Sequence, residues 1–378
     1  MKTHQITWTE NEGWTTLKDG GGVADANLVI YFAAPGTMAS GDRYDDIKSR
    51  FPEADIVGCT TGGEIAGDEV LDDSVVATAV RFEKTRTQVA VTAVAAGGSS
   101  EAAGKELAGQ LSARDLNSVF VLSDGINVNG SELVRGFRGV IGDNIPLTGG
   151  LAGDGADFGT TYVGCNGTPV SGQIVAVGFY GDALRIGHGS IGGWDPFGPE
   201  RVITRSEGNV LFELDGQPAL DLYKKYLGEE AEKLPGSALL FPLRVAPKDG
   251  GSDIVRTVLT IDEDAKSMTF AGDVPQGHIA QLMRGNFDHL VNGAGQAAES
   301  AAGQDGGGDR LAVLVSCIGR KLLMGQRVSD EVEAVADVLG ENAAVLGYYS
   351  YGEISPHEST GVCELHNQTM TVTTFVEG

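Results

Sequence analysis

One pattern occurs near both ends of the chain. Gly58-Cys59-Thr60-Thr61-Gly62-Gly63-Glu64-Ile65 and Gly347-Tyr348-Tyr349-Ser350-Tyr351-Gly352-Glu353-Ile354 both read G-x-x-[ST]-x-G-E-I. The flanks repeat too. An apolar strand candidate lies upstream (Leu28–Phe32, Leu311–Val315), then a helix candidate (Gly41–Phe51, Glu331–Leu339), then a short apolar run into the motif. Two further strand candidates follow each motif as a hairpin: Ser74–Phe82 with Gln88–Val94, and Gly361–His366 with Thr369–Phe375. A weaker third copy lies between them: strand Ser118–Leu122, helix Ser131–Val140, a glycine turn at Gly149-Gly150 and strand Val170–Tyr180. The unit is strand, helix, strand, glycine turn, hairpin. Strand-helix-strand favours parallel strands with a right-handed crossover. The glycine turn then sits where open α/β sheets place ligand crevices. The fold expected is α/β, with mixed sheets built from duplicated units.

The segment between the second and third copies is different. Glu200–Ser206 and Asn209–Leu214 read as a hairpin. Asp215 reads as the N-cap of a helix running to Leu227, with Pro218 in its first turn and Gly228 at its end. Ser237–Val245, Ile254–Asp262 and Ser267–Phe270 read as antiparallel strands, Gly277–Leu290 as a helix, and Gln296–Asp309 as a solvated glycine-rich loop. A boundary after this Asp215 helix divides the chain into modules 1–228 and 229–378.

Charge narrows the function. The 378 residues carry a formal net charge of -25, which offers no basic face to phosphates or to anionic lipid. The N-terminal residues lack the apolar run of a signal peptide, and no window has the length of a membrane span. The four cysteines form no C-x-x-C pair, so a zinc site is not expected and a reducing cytoplasm is. The glycine clusters at Gly20–Gly22, Gly149-Gly150 and Gly153-x-Gly155 lack the Walker and dinucleotide patterns.

Val57–Ile65 and Glu207–Leu220 resemble the N-terminal module of the FIST family. Gly347–Ile354, Ser316–Arg320 and Cys363–Thr373 resemble its C-terminal module. The resemblance implies a bacterial or archaeal signal-input protein with a ligand cleft between or beside the two modules. The ligand would be small: an amino acid or other metabolite, or haem in a nitric-oxide sensor. Output would pass to a partner such as a histidine kinase or a cyclic-di-GMP enzyme. Nothing in this reading requires catalysis.

The candidate ligand residues follow. His366, Asn367 and Gln368 fall in the turn expected of the last hairpin, where they either shape the turn or bind. Tyr349 and Tyr351 share a strand face and offer an apolar body with a polar tip. Glu64 and Glu353, with Thr61 in the first motif, hold equivalent repeat positions; they either bind an ammonium group or cap the following turn. Trp194 stands among glycines with His188, and glycine leaves room for a planar cofactor. His188, His366 and His357 are the candidate axial ligands for haem, and no C-x-x-C-H would attach it covalently. A reading of another class is a cysteine-dependent hydrolase, with Cys317, His366 and Asn367 as nucleophile, base and orienter.

Overall fold

The structure, a computed structural model, describes every residue except 22, 96, 249 and 304–308. All three copies carry the expected parallel pair: Leu28–Ala33 with Asp55–Thr60, Leu116–Ser123 with Leu147–Leu151, and Arg310–Cys317 with Ala343–Ser350. The crossover helices are Asp42–Arg50, Gly130–Ile141 and Val328–Leu339. Next to each pair lies an antiparallel strand: Val75–Arg81, Gln173–Tyr180 or Met370–Glu377. Beyond that strand lies Lys2–Thr9, Arg86–Ala93 or Leu184–Ile191. The weak middle copy is therefore as complete as the others. Leu28–Ala33 and Arg310–Cys317 are buried along their whole length, which is why they read as continuous apolar runs without alternation. The three sheets share one core, in which Phe32, Phe120, Val177, Val313 and Phe375 meet.

After each glycine turn the chain leaves its own sheet. Glu64–Ala66 crosses from the first copy to pair with Ala343–Ser350 of the third. Gly352–Pro356, with Cys363–His366 beside it, crosses from the third copy to pair with Leu147–Leu151 of the second. Val163–Cys165 crosses from the second to pair with Asp55–Thr60 of the first. The exchange closes a ring in which the second strand of each parallel pair is covered by a strand from another copy, while Gly13–Lys18, Arg86–Ala93 and Leu184–Ile191 remain the outer edges. This corrects the hairpins read from the sequence. Val75–Arg81 and Arg86–Ala93 lie in different sheets, as do Cys363–His366 and Met370–Glu377. Residues 367–369 are thus a crossing between sheets rather than a hairpin tip. Alternation and turn residues specify strands but leave the choice of partner to long-range packing.

The motif glycine has one physical cause in all three copies. Gly58, Gly149 and Gly347 each face the first strand of their pair, opposite Tyr31, Val121 and Leu314. A Cβ would lie 2.3, 1.9 and 2.2 Å from the carbonyl oxygens of those residues. Backbone cannot yield as a side-chain tip can, so Gly347→Ala should cost about 1–3 kcal/mol of overpacking, measured as a lower urea midpoint.

Residues 194–285 form a unit inserted into the third copy. Trp194–Glu207 pairs with Ile279–Gly285 and Val210–Leu214 in an eight-stranded sheet. Ile203, Leu211, Tyr223, Leu243 and Phe270 supply its separate core. Two readings are corrected here. Gly277–Leu290 is not one helix: Ile279–Gly285 is a strand between Trp194–Glu207 and Leu243–Ala246, and the helix is Phe287–Ala302. Tertiary pairing overrides a segment whose apolar spacing suits either state. That helix also takes in the first part of the Gln296–Asp309 loop, the rest of which lies largely outside the described residues. Asp215 is not an N-cap. It sits at φ 49° in a turn, accepts from Val202 N at 2.8 Å and pairs with Arg201, and the helix is Ala219–Leu227. Residue 228 falls within this unit. No helix among the described residues is long and apolar enough to cross a membrane.

Candidate functional site

The two Glu-Ile motifs fold identically. Thr61 Oγ1 donates to Glu64, and Ser350 Oγ donates to Glu353 at 2.7 Å. The other carboxylate oxygen accepts from Ser74 N and Oγ at 3.2 and 2.7 Å in the first motif. In the second it accepts from Thr369 N and Oγ1 at 3.1 and 2.9 Å. Both glutamates are fully buried. Burial lifts Glu64 to about 7 and Glu353 to about 8, against the pull of these donors. Thr61, Glu64 and Glu353 thus knit the ring of exchanged strands. Tyr349 is equally buried, its hydroxyl on Glu331 at 2.9 Å.

Three of the other candidates converge. Trp194, His357 and His366 line one cleft of about 410 Å3 between the third copy and the inserted unit. Asp253, Ile254 and Val255 form its inserted wall; Ser190, Gln296, Glu358 and Thr369 belong to the core side. His366 Nε2 lies 2.9 Å from Ser355 O, so it donates there and Nδ1 keeps the lone pair. Burial lowers the ring to about 4, which keeps it neutral. His357 stacks on it with centroids 5.8 Å apart. His188 shares a strand face with Ser190; burial lowers its pKa, while Glu358 acts in the opposite direction. Its glycine neighbours do not make room for a cofactor. A Cβ on Gly187 or Gly189 would strike Ala301 O or Ala297 O at 1.9 or 2.1 Å, so they seat the strand on the helix Phe287–Ala302. Tyr351 lines a separate cleft.

Asn367 and Gln368 fasten the inserted unit to the core. Gln368 Nε2 donates to Leu239 O and Thr257 Oγ1, both at 3.0 Å, and Gln368 O accepts from Trp194 Nε1 at 2.9 Å. Sequence reasoning missed the residue that holds both necks of this unit. Arg320, fully buried, donates to Gly192 O at the entry neck and to Leu290 O, 3.0 Å away, at the exit. Its charge meets Glu331 at 2.6 Å. The signals were its place in Ser316–Arg320, which resembles the C-terminal module, and an Arg-Lys pair in the otherwise apolar run Cys317–Met324.

Cys317 is buried, and burial pushes its thiol up. No hydrogen bond joins it to His366 among the described residues; that ring is bonded to Ser355 O. No group of three His, Cys, Asp or Glu side chains is placed to hold a metal ion among the described residues.

An α/β body built of three strand-exchanging units, with an inserted unit and a mixed polar and apolar cleft where the two meet, is the kind of architecture in which small-ligand sites occur. The chain belongs to the FIST family: its residues 27–217 match the FIST N domain and 219–356 the FIST C domain. FIST domains are a sensory, ligand-binding family of signal transduction. An uncharacterized protein of Methanocaldococcus jannaschii, MJ1623, is 24% identical over 243 residues, covering 55% of this chain. The chain spans about half the length of that relative, 45%. The crystal structure of a cyanuric acid hydrolase from A. caulinodans aligns over 78% of this chain and 99% of its own, at 12% identity and a TM-score of 0.18, too low to bear on fold or chemistry.

Proposed function

We propose that the protein senses a small metabolite carrying an amine, such as an amino acid, in the cleft between the inserted unit and the third copy. The observation that carries this reading is the cleft's composition. It joins two bodies, has no Lys or Arg in its lining, and presents Glu358 beside a neutral His366 and Trp194. Glu358 accepts one hydrogen bond, from Ser300 at 3.1 Å, and pairs with no base among the described residues. Asp253 is held by Arg244 at 2.5 Å. A ligand ammonium would meet Glu358, while Nδ1 of His366 offers a further acceptor. A ligand touching both walls binds one arrangement of the inserted unit better than another, and that difference shifts the population a partner reads. A histidine kinase or a cyclic-di-GMP enzyme would be such a partner. Four free cysteines suit the cytoplasm.

Haem suits the donor set only in part. His366, its ring fixed by Ser355 O, would supply an axial nitrogen. The propionates would find no cation in the lining and two carboxylates, Asp253 and Glu358.

The test is a thermal-shift screen of the full chain against free amino acids and small amines, followed by calorimetry. Glu358→Gln should weaken the amine ligand about tenfold or more, since a charge-assisted bond is lost. No stabilisation by any amine, together with a Soret band after haem addition, would sink the amine reading.

A further inference from the structure

A second cleft, of about 290 Å3, lies between the second copy and the strands Val258–Asp262 and Ser267–Phe270 of the inserted unit. It shares no lining residue with the first. One wall is aromatic. Phe158 stacks on Tyr351 with centroids 4.5 Å apart and planes 15° from parallel. Phe158 is held at φ 48°, a left-handed conformation that costs a bulky residue energy. What holds it is Asp154, which accepts from Tyr351 Oη and from the amides of Gly159 and Thr160 at 2.8 and 2.7 Å. The loop thus spends strain to present an aromatic face to the cleft.

The polar groups opposite are uncharged and unspent. Thr260 and Thr269 face each other across the two strands, and among the described residues neither hydroxyl has a hydrogen-bond partner. Asn127 donates its side-chain amide to Asp124 at 3.2 Å, and Asn209 donates its own to Phe270 O at 2.8 Å. Each has an Oδ1 acceptor left over. No lining side chain carries a charge. Two amide oxygens and two hydroxyls around an aromatic wall suit a flat ring with N–H donors at its edge. The volume admits one bicyclic ring, and the lining has no Lys or Arg to favour a phosphate.

We propose that this cleft is a second binding site, for an uncharged heteroaromatic base of the purine kind. The site goes beyond the amine cleft and stands without it. Because the inserted unit forms a wall of both clefts, occupancy here would bias the same hinge.

The experiment is calorimetric titration of the full chain with adenine and hypoxanthine, with adenosine monophosphate as the charged control. At least one base should bind, and the nucleotide should bind about tenfold more weakly or less, because no cation meets its phosphate and the chain is strongly acidic. The double variant Thr260→Val, Thr269→Val should weaken the base about tenfold, with its thermal midpoint held, since those hydroxyls make no internal bond. Phe158→Ala is the second variant, and should weaken the base similarly by removing the stacking face. Two results would overturn the proposal: no binding of either base, or binding that survives both variants. Failure of the amine screen leaves both readouts intact.

Discussion

Arg320→Ala should lower the unfolding free energy by about 3–5 kcal/mol, the cost of stranding one partner of a buried ion pair. Glu331 would be left fully buried, with only Ser316 Oγ at 3.1 Å and Tyr349 Oη at 2.9 Å as donors. The carbonyls of Gly192 and Leu290 would each lose a donor. The effect should not be uniform along the chain. Amide exchange should quicken first around residues 192–194 and 285–290, where the inserted unit joins the core, because opening there no longer breaks the Arg320 bonds. Urea unfolding measures the first effect and native-state hydrogen exchange the second. A loss under 1 kcal/mol, or exchange that quickens evenly along the chain, would show that Arg320 does not hold the hinge. If the amine cleft works by movement of that unit, Arg320→Ala should also alter ligand affinity without touching the ligand.

Stability should fall as pH rises from about 6.5 to about 8, the reverse of the trend set by salt-bridged carboxylates. Glu64 and Glu353 bind their protons more tightly in the folded state, at about 7 and about 8, than in the unfolded chain. Stability declines with pH wherever the folded state holds more protons. Their contribution is therefore whole below the ordinary glutamate range and is lost as pH climbs through 7 and 8. His366 acts oppositely. Lowered to about 4 in the folded protein, it makes the unfolded chain the better proton binder up to the ordinary histidine value of 6.5. Stability due to His366 rises over that interval and is then constant. The two trends oppose each other in mild acid, and only the carboxylates act above it. The decline should approach about 1.4 kcal/mol per pH unit for each fully titrating group. The double variant Glu64→Gln, Glu353→Gln mimics the protonated pair and should flatten the curve between pH 6.5 and 8. Urea midpoints at four or five pH values measure it, and a double variant with an unchanged slope would assign the decline to other groups.

The same motif shows how far local reading reached. G-x-x-[ST]-x-G-E-I carries its own explanation: the glycine lets two strands approach, and the hydroxyl three residues before Glu meets its carboxylate. Both relations lie within a parallel pair or within four residues, so repetition in the sequence exposed them. The histidines were legible only as a set. His357 and His366 come together with Trp194 at one cleft because the third copy folds around an insertion, while His188 stays outside its lining, and nothing in the spacing of the three histidines separates those outcomes. Arg320 was legible only as part of the Ser316–Arg320 resemblance, and its role was not. Its partners Gly192, Leu290, Glu331 and Gln368 come from four segments, and three of those four contacts are backbone carbonyls that leave no mark on the sequence.

Strand positions, crossover helices and the threefold repeat follow from apolar runs and glycine placement, which act over a few residues at a time. The second strand of each copy, its glycine and its buried glutamate or equivalent turn could be located in that way. Which sheet each exchanged strand completes could not, because backbone N–H and C=O groups are the same at every edge and only packing of the whole core selects among them. The tertiary structure alone turned two expected hairpins into crossings between sheets, and a helix at Gly277–Leu290 into a strand and a helix start. It also set both clefts where the inserted unit meets the core, a surface that exists only after segments far apart in the chain have packed together.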